Sequence, residues 1–157
     1  SMRTERTIQL TAGGHARLVQ ELKHLTEVKL PDISARIQDA TEHGDVSDNS
    51  EYEDLKEEFV LTEARIRELE QTLERAEIIQ EGSVDGTIHP GSHVSVRSDD
   101  GEEETWVLVS PEEASAVDGR ISTESPVGKA LVGSRVGDSA TVTTPGGKIV
   151  YTVIGVR

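Results

Sequence analysis

The stretch SEYEDLKEEFVLTEARIRELEQTLERA, Ser50 to Ala76, decides the reading of the first half of the chain. Within it Tyr52, Leu55, Phe59, Thr62, Ile66, Leu69, Leu73 and Ala76 alternate spacings of three and four without a slip. A seam of period 3.5 is the pattern of a helix packed in a coiled coil. Ser50 and Glu53 have the spacing of a capping box, which predicts the helix start at this point. Just before it, Gly44-Asp45-Val46-Ser47-Asp48-Asn49 reads as a turn by composition. Further back, Leu18, Leu22 and Leu25, then Ile33, Ile37 and Ala40, repeat the same spacing. Pro31 lies between those two sets and predicts a kink or irregular turn. Thr11 is the expected N-cap, because its hydroxyl can accept from an orphan N–H of the first turn. Gly13-Gly14 follow no convincing strand and read as a loose helix start. Each helix is about 30 residues and so about 45 Å long. The expectation is an antiparallel coiled-coil hairpin with an acidic turn at its tip.

Composition changes near Gly82, which divides the chain into residues 1–82 and 83–157. The first part has four glycines and one proline, the second ten and four. The second part reads as a small β-rich domain. His93 to Arg97 alternates, Asp99-Asp100-Gly101 makes a hairpin turn, and Thr105 to Val109 returns. Arg120-Ile121-Ser122 is a further short strand. Pro126 to Val132 suits a short helix, with proline at its start and Gly133 after it. Ala140 to Thr144 and Ile149 to Ile154 form a last hairpin around Pro145-Gly146-Gly147. The fold class is therefore α+β.

Charge narrows the function. The net charge is −14, which makes the chain a poor generic nucleic-acid binder, because phosphate contacts need a basic surface. The chain has no cysteine, hence no disulfide, thiolate nucleophile or thiolate metal site. No apolar run approaches the ~20 residues of a membrane span, and no signal-peptide pattern stands at the start. The expectation is a cytoplasmic protein without membrane contact. There is no Gly-x-Ser-x-Gly turn, no Walker loop and no Rossmann glycine pattern. His15, His24, His43, His89 and His93 lack zinc-ligand spacing and read as surface or boundary residues. Arg3, Arg6, Arg17, Lys23, Lys29 and Arg36 make the beginning mildly basic, either to line a flank near RNA or a partner, or as ordinary surface charge.

The acid is concentrated between Glu42 and Glu58, where eight acidic residues accompany one basic residue, Lys56. Asp45 and Asp48 stand two residues apart across the turn, with Glu42, Glu51, Glu53 and Asp54 nearby. Carboxylate oxygens are hard ligands suited to Mg²⁺ or Mn²⁺. Two of them cannot fill an octahedral shell, so free metal should not be bound tightly. Either this is a solvated acidic turn, or a rod carries two aspartates into another molecule's cavity to complete a metal site there.

Three motifs now carry a resemblance. Thr11-Ala12-Gly13-Gly14 with Leu18, Glu21-Leu22, Leu25, Pro31 and Ile33 resembles the opening of the Gre family of bacterial transcript-cleavage factors. Glu42-His43-Gly44-Asp45-Val46-Ser47-Asp48-Asn49-Ser50-Glu51-Tyr52 resembles their tip motif. Ser125-Pro126-Val127-Gly128-Lys129-Ala130-Leu131-Val132-Gly133 and Thr144-Pro145-Gly146-Gly147 resemble their second signature. The match runs from about Ile8 to Val156 in order and spacing, closest to the GreA branch. The resemblance implies an N-terminal coiled-coil hairpin and a C-terminal FKBP-like, polymerase-docking domain. It implies a non-enzyme that inserts its coiled coil into the secondary channel of bacterial RNA polymerase and acts on the nascent RNA 3′ end of the backtracked complex. Tip acids there help hold a second Mg²⁺, and the polymerase cleaves its own transcript. Carried over by position, Asp45 and Asp48 are the donated catalytic and metal-holding acids. Asn49 and Tyr52 orient the turn. Ser122, Ser125 and Pro126 fall in the second signature as docking surface or as fold.

The chain departs from the pattern at three places. Asp48 stands where Glu is usual, Val46 where Leu or Phe is common, and Ser50 where Ala is. The shorter Asp48 keeps the charge and loses reach. Two alternatives follow: a Gre-like inhibitor that occupies the channel without promoting cleavage, or a coiled-coil chaperone or prolyl isomerase. An isomerase needs an aromatic-lined pocket, and the second part has only Trp106 and Tyr151. A self-paired hairpin predicts a monomer.

Overall fold

The computed structural model describes residues 6–43 and 49–157, leaving aside the side chains of His43 and Asn49. The described chain forms two compact units. One joins Ser1–His15 to Ala76–Arg157, and the other is Ala16–Arg75. The first therefore draws residues from both sides of Gly82.

The hairpin unit is helical, as the periodicity predicts. Helix α1, Ala12–His24, runs through a π-helical turn, Leu25–Lys29, into α2, Leu30–His43; α3 is Asn49–Glu74. Pro31 lies inside α2 and does not break it. A proline lacks its N–H and its ring clashes with the carbonyl four residues back. The chain relieves this one turn earlier, where the Leu30 N–H donates to the Leu25 carbonyl, five residues back. The widened π turn absorbs the irregularity without ending the helix. Helices α2 and α3 pack together, and Ile33 of α2 and Leu55, Thr62 and Leu69 of α3 are each no more than 4% exposed. Leu55, Thr62 and Leu69 are one heptad apart.

Two expectations change at the end of the seam. Thr72 is buried where Leu73 is half-buried. A straight helix of 3.6 residues per turn drifts about 20° per heptad from a 3.5 repeat, which brings a new position round. Ala76 is not helical at all: it opens a strand. Across the arms, the Arg65 Nε and Nη2 donate to the two oxygens of Glu21 at 2.8 and 2.9 Å, and Nη1 donates to Glu68 at 3.0 Å. The Glu21 carboxylate, foremost through its hydrogen bonds, raises the Arg65 pKa above the ordinary guanidinium value.

The other unit contains two sheets. Strand β1, Ile8–Thr11, pairs in parallel with β2, Ala76–Ile79. The Gly13-Gly14 pair thus does follow a strand, contrary to the expectation from sequence. Four residues are too few to show a period, and their partner lies 68 positions on. Parallel strands need a long crossover, and here the crossover is the helical hairpin. The main sheet has the order β5-β4-β3-β7-β6, with β3 His93–Ser98, β4 Glu103–Val109, β5 Arg120–Ser122, β6 Ser139–Thr144 and β7 Gly147–Val156. Pairing is antiparallel except for β4 with β5. Gly101, at φ +91°, makes the turn expected between β3 and β4. Helix α4, Pro126–Leu131, packs on β6. Ile88, Val94, Val96, Leu108, Leu131, Ala140 and Val153 form the core. Trp106 and Tyr151 border it edge to face, with ring centroids 5.4 Å apart. No helix among the described residues is long and apolar enough to cross a membrane.

Candidate functional site

Asp45 and Asp48 lie outside the described residues. Chain connectivity nevertheless assigns them to the segment joining the last turn of α2 to the first turn of α3. Helix α3 starts at Asn49, so Ser50 sits within its first turn rather than at the cap. Tyr52 is half-buried in the same turn, and the Lys56 ammonium stands 4.9 Å from its ring centroid, a cation–π contact. Lys56 also lies 3.7 Å from Glu53. Glu51, Glu53 and Asp54 are exposed on this first turn, and Glu42 is exposed on the last turn of α2. The described part of this end therefore presents mostly carboxylates. Among the described residues no three His, Asp or Glu side chains gather to hold a metal.

The second-signature residues have defined local roles. Ser125 caps α4: its Oγ accepts from the Gly128 N–H at 3.1 Å and donates to the Ser122 carbonyl at 2.7 Å. The Ser122 Oγ accepts from the Glu124 N–H at 3.0 Å. Pro126 occupies the first helical position, where its missing N–H costs nothing. A β-carbon on Gly128 would lie 1.9 Å from the Ser122 carbonyl oxygen, so the close approach of α4 to the chain after β5 requires glycine there.

A third cluster, unforeseen in the sequence, lies at the root of α1. Thr11 is the N-cap, as expected, and its Oγ1 accepts from the Gly14 N–H at 3.0 Å. In a capping box the residue three places on is Glu or Gln, whose side chain returns to the N-cap N–H. Here that residue is Gly14, and the carboxylate arrives from 102 positions away. Glu113 Oε1 accepts the Thr11 N–H at 2.8 Å, and Oε2 accepts the Thr11 hydroxyl at 2.7 Å. Arg120 Nη2 donates to Thr11 Oγ1 at 2.9 Å, which fills the second acceptor site of the hydroxyl. Arg120 also holds Glu113 through Nε at 3.1 Å and through Nη2. The Glu113 side chain is 1% exposed and that of Arg120 13%. Arg120 reaches on to Glu81 at 3.4 Å, whose other oxygen lies 3.2 Å from His93 Nε2. A β-carbon on Gly14 would stand 2.1 Å from Glu113 Cδ. The missing N3 carboxylate after Thr11 was the available sequence signal, although nothing in the sequence names Glu113 as its replacement.

Comparison with known proteins matches both parts. The family model described as transcription elongation factor, N-terminal, covers residues 8–78, and that described as transcription elongation factor, GreA/GreB, C-term, covers residues 83–157. Transcription elongation factor GreA of Chloroflexus aggregans is 49% identical over 156 residues, spanning 98% of this chain and 99% of that protein. Its counterpart in Rickettsia conorii is 46% identical over 150 residues, spanning 94% and 93%. The crystal structure of GreA factor homolog 1 (Gfh1) of Thermus thermophilus is 39% identical, covers 97% of this chain and 99% of that one, and aligns with a TM-score of 0.46. With two family models in register and relatives near half identity along almost the whole chain, this protein belongs to the GreA/GreB family of transcription elongation factors.

Proposed function

We propose that this chain binds bacterial RNA polymerase in the backtracked state and stimulates the polymerase to cleave its own transcript. One observation supports the reading: α2 and α3 pair, and the described ends that flank residues 44–48 in the chain carry exposed carboxylates, Glu42 on one side and Glu51, Glu53 and Asp54 on the other. In this reading the hairpin enters the secondary channel, and the β-rich unit, with the α4 region of Ser122, Ser125 and Pro126, docks outside it. Asp45 and Asp48 are hard donors, which fits Mg²⁺; two do not fill six positions, so the polymerase must provide the rest. Bound there, the ion would supply charge stabilisation and an activated water for phosphodiester hydrolysis. The chain's own contribution is to present the two carboxylates beside the RNA 3′ end, with Asn49 and Tyr52 orienting the turn. The polymerase remains the enzyme.

The test uses a stalled, backtracked elongation complex with 3′-labelled RNA and polymerase from the same organism. The wild type should release short 3′ fragments in Mg²⁺, and D45N should lose this stimulation while still competing for the polymerase. Fragment release by D45N equal to wild type would overturn the assignment. Slower nucleotide addition without fragment release would replace cleavage by channel blocking, with the shorter Asp48 as the residue to restore to Glu.

A further inference from the structure

We propose that the groove continuing β2 binds an extended, acidic segment of a partner protein, through main-chain hydrogen bonds and the Arg157 guanidinium. The groove lies wholly within the β-rich unit. Strand β2 has one sheet partner, β1, and no strand on its other side among the described residues. An edge strand turns unpaired N–H and C=O groups outward, which makes it a template for another extended chain. Ile78 of β2 is 52% exposed. Residues 79–84 then line, without a gap, a groove of about 700 Å³ completed by Gln9, His89, Pro90 and Arg157. That volume lies in the range of ligand clefts, about 300–1,000 Å³. From Gln80 to Val84 the one main-chain bond among the described residues is from the Gly82 N–H to the Gly91 carbonyl, at 2.7 Å. The other main-chain groups of this run are open to an incoming chain.

The groove is held in shape by its own contacts. A β-carbon on Gly91, at φ +94°, would lie 2.7 Å from the Gln80 carbonyl oxygen, so the close approach of these two segments requires glycine. The His89 N–H donates to Ser92 Oγ at 3.0 Å, and Ser83 Oγ donates to the Thr87 carbonyl at 2.8 Å. A cleft fixed in this way leaves most of the ordering cost of binding to the partner. Charge selects the occupant. Glu81 is the one carboxylate side chain of the lining, and it is already paired, with Arg120 at 3.4 Å and His93 at 3.2 Å. Arg157 is anchored by its main chain, which exchanges two hydrogen bonds of 2.8 Å with His93, and its guanidinium has no ion pair among the described residues. In a chain of net charge −14, the unpaired side-chain charge in this groove is therefore positive. A guanidinium can hold a carboxylate at two points. An extended segment with apolar side chains beside Ile79, Val84 and Pro90 and a carboxylate at Arg157 fits this lining, and a basic segment does not.

The experiment titrates isotope-labelled full-length protein with short capped peptides at millimolar concentration and follows its amide resonances. One peptide alternates valine with glutamate, and a second alternates valine with lysine. A third is the glutamate peptide N-methylated at alternate residues. The glutamate peptide should shift the amides of residues 78–84 and of Arg157 saturably. The lysine peptide should bind at least about threefold more weakly, the factor expected of an exposed charge contact. N-methylation removes peptide donors and leaves the side chains, and should weaken binding about tenfold or more. R157Q should bring the glutamate and lysine peptides within about twofold of each other, whereas R157K, which keeps the charge, should keep the preference. Absence of shifts at residues 78–84 overturns the proposal, as does binding of the methylated peptide as tight as that of its parent. Equal binding of the glutamate and lysine peptides by wild type, or a preference that survives in R157Q, overturns the assignment of an acidic partner through Arg157. Shifts of the same amides that grow with protein concentration in the absence of peptide would make a second copy of the chain the occupant, and would overturn it too.

Discussion

Replacing Gly14 by alanine is the sharpest probe of the α1 root. On an exposed helix this change stabilises by about 1 kcal/mol, because alanine is the better helix former. Here the new methyl would lie 2.1 Å from Glu113 Cδ, 2.2 Å from Oε1 and 2.5 Å from Cγ. The carboxylate cannot swing aside freely, since it is buried and held by Thr11 and Arg120. Overpacking of this kind costs about 1–3 kcal/mol, and loosening a charged hydrogen bond adds about 1.5–3 kcal/mol. After subtracting the helix gain of about 1 kcal/mol, the net loss is about 1.5–5 kcal/mol, a fall in Tm of roughly 3–20 °C for a chain of this size. Thermal or urea unfolding of full-length G14A measures it, followed at Trp106, the single tryptophan, which borders the core of the same unit. The double variant G14A/E113A sharpens the test. Removing the carboxylate removes the clash, so the two losses should fall short of additive by about 1–3 kcal/mol. A G14A protein as stable as wild type, or a strictly additive double variant, would refute the reasoning.

Other expectations follow from single contacts. G128A would drive a β-carbon to 1.9 Å from the Ser122 carbonyl, and backbone yields less readily than a side chain. Its loss should therefore exceed that of G14A, with α4 displaced, as amide spectra of residues 122–131 would report. R65A removes the two-point pairing with Glu21 on a face where both side chains are more than a third exposed. It should cost less than about 1 kcal/mol, and added salt should shrink even that; a larger loss in urea unfolding would give this pair a role the geometry does not. Burial first, then the charges of Glu104, Asp100 and Asp99, raises the Tyr151 pKa. A group with a raised pKa in the fold contributes stability below its unfolded value, about 10, and loses it as pH rises through the folded value. In a Y52F background, phenolate absorbance should appear above the ordinary phenol range and stability should decline with it. Titration at or below that range would contradict the placement of the ring.

Elements whose information is local can be read from neighbouring residues alone. An unbroken 3–4 spacing from Tyr52 to Leu73 can only be a helix seam, and the glycine and aspartate turns fix where β3, β4, β6 and β7 begin and end. Three motifs in order were enough to show the family resemblance, while Asp45 and Asp48 lie outside the described residues. Other features depend on residues far apart in the chain and emerge only on packing. Strands β1 and β2 are four residues each and have no period of their own; they are strands because residues 68 positions apart pair. Pro31 predicts a kink or irregular turn, but that the irregularity takes the form of one widened π turn just upstream, with the helix continuing, was decided by backbone hydrogen bonding. Glu113, one of 30 acidic residues, is distinguished from the others only by its burial against Thr11 and Arg120. A capping partner 102 positions away is invisible to any local pattern, because what selects it is the geometry of the packed unit and the cost of leaving an N-terminal N–H without an acceptor.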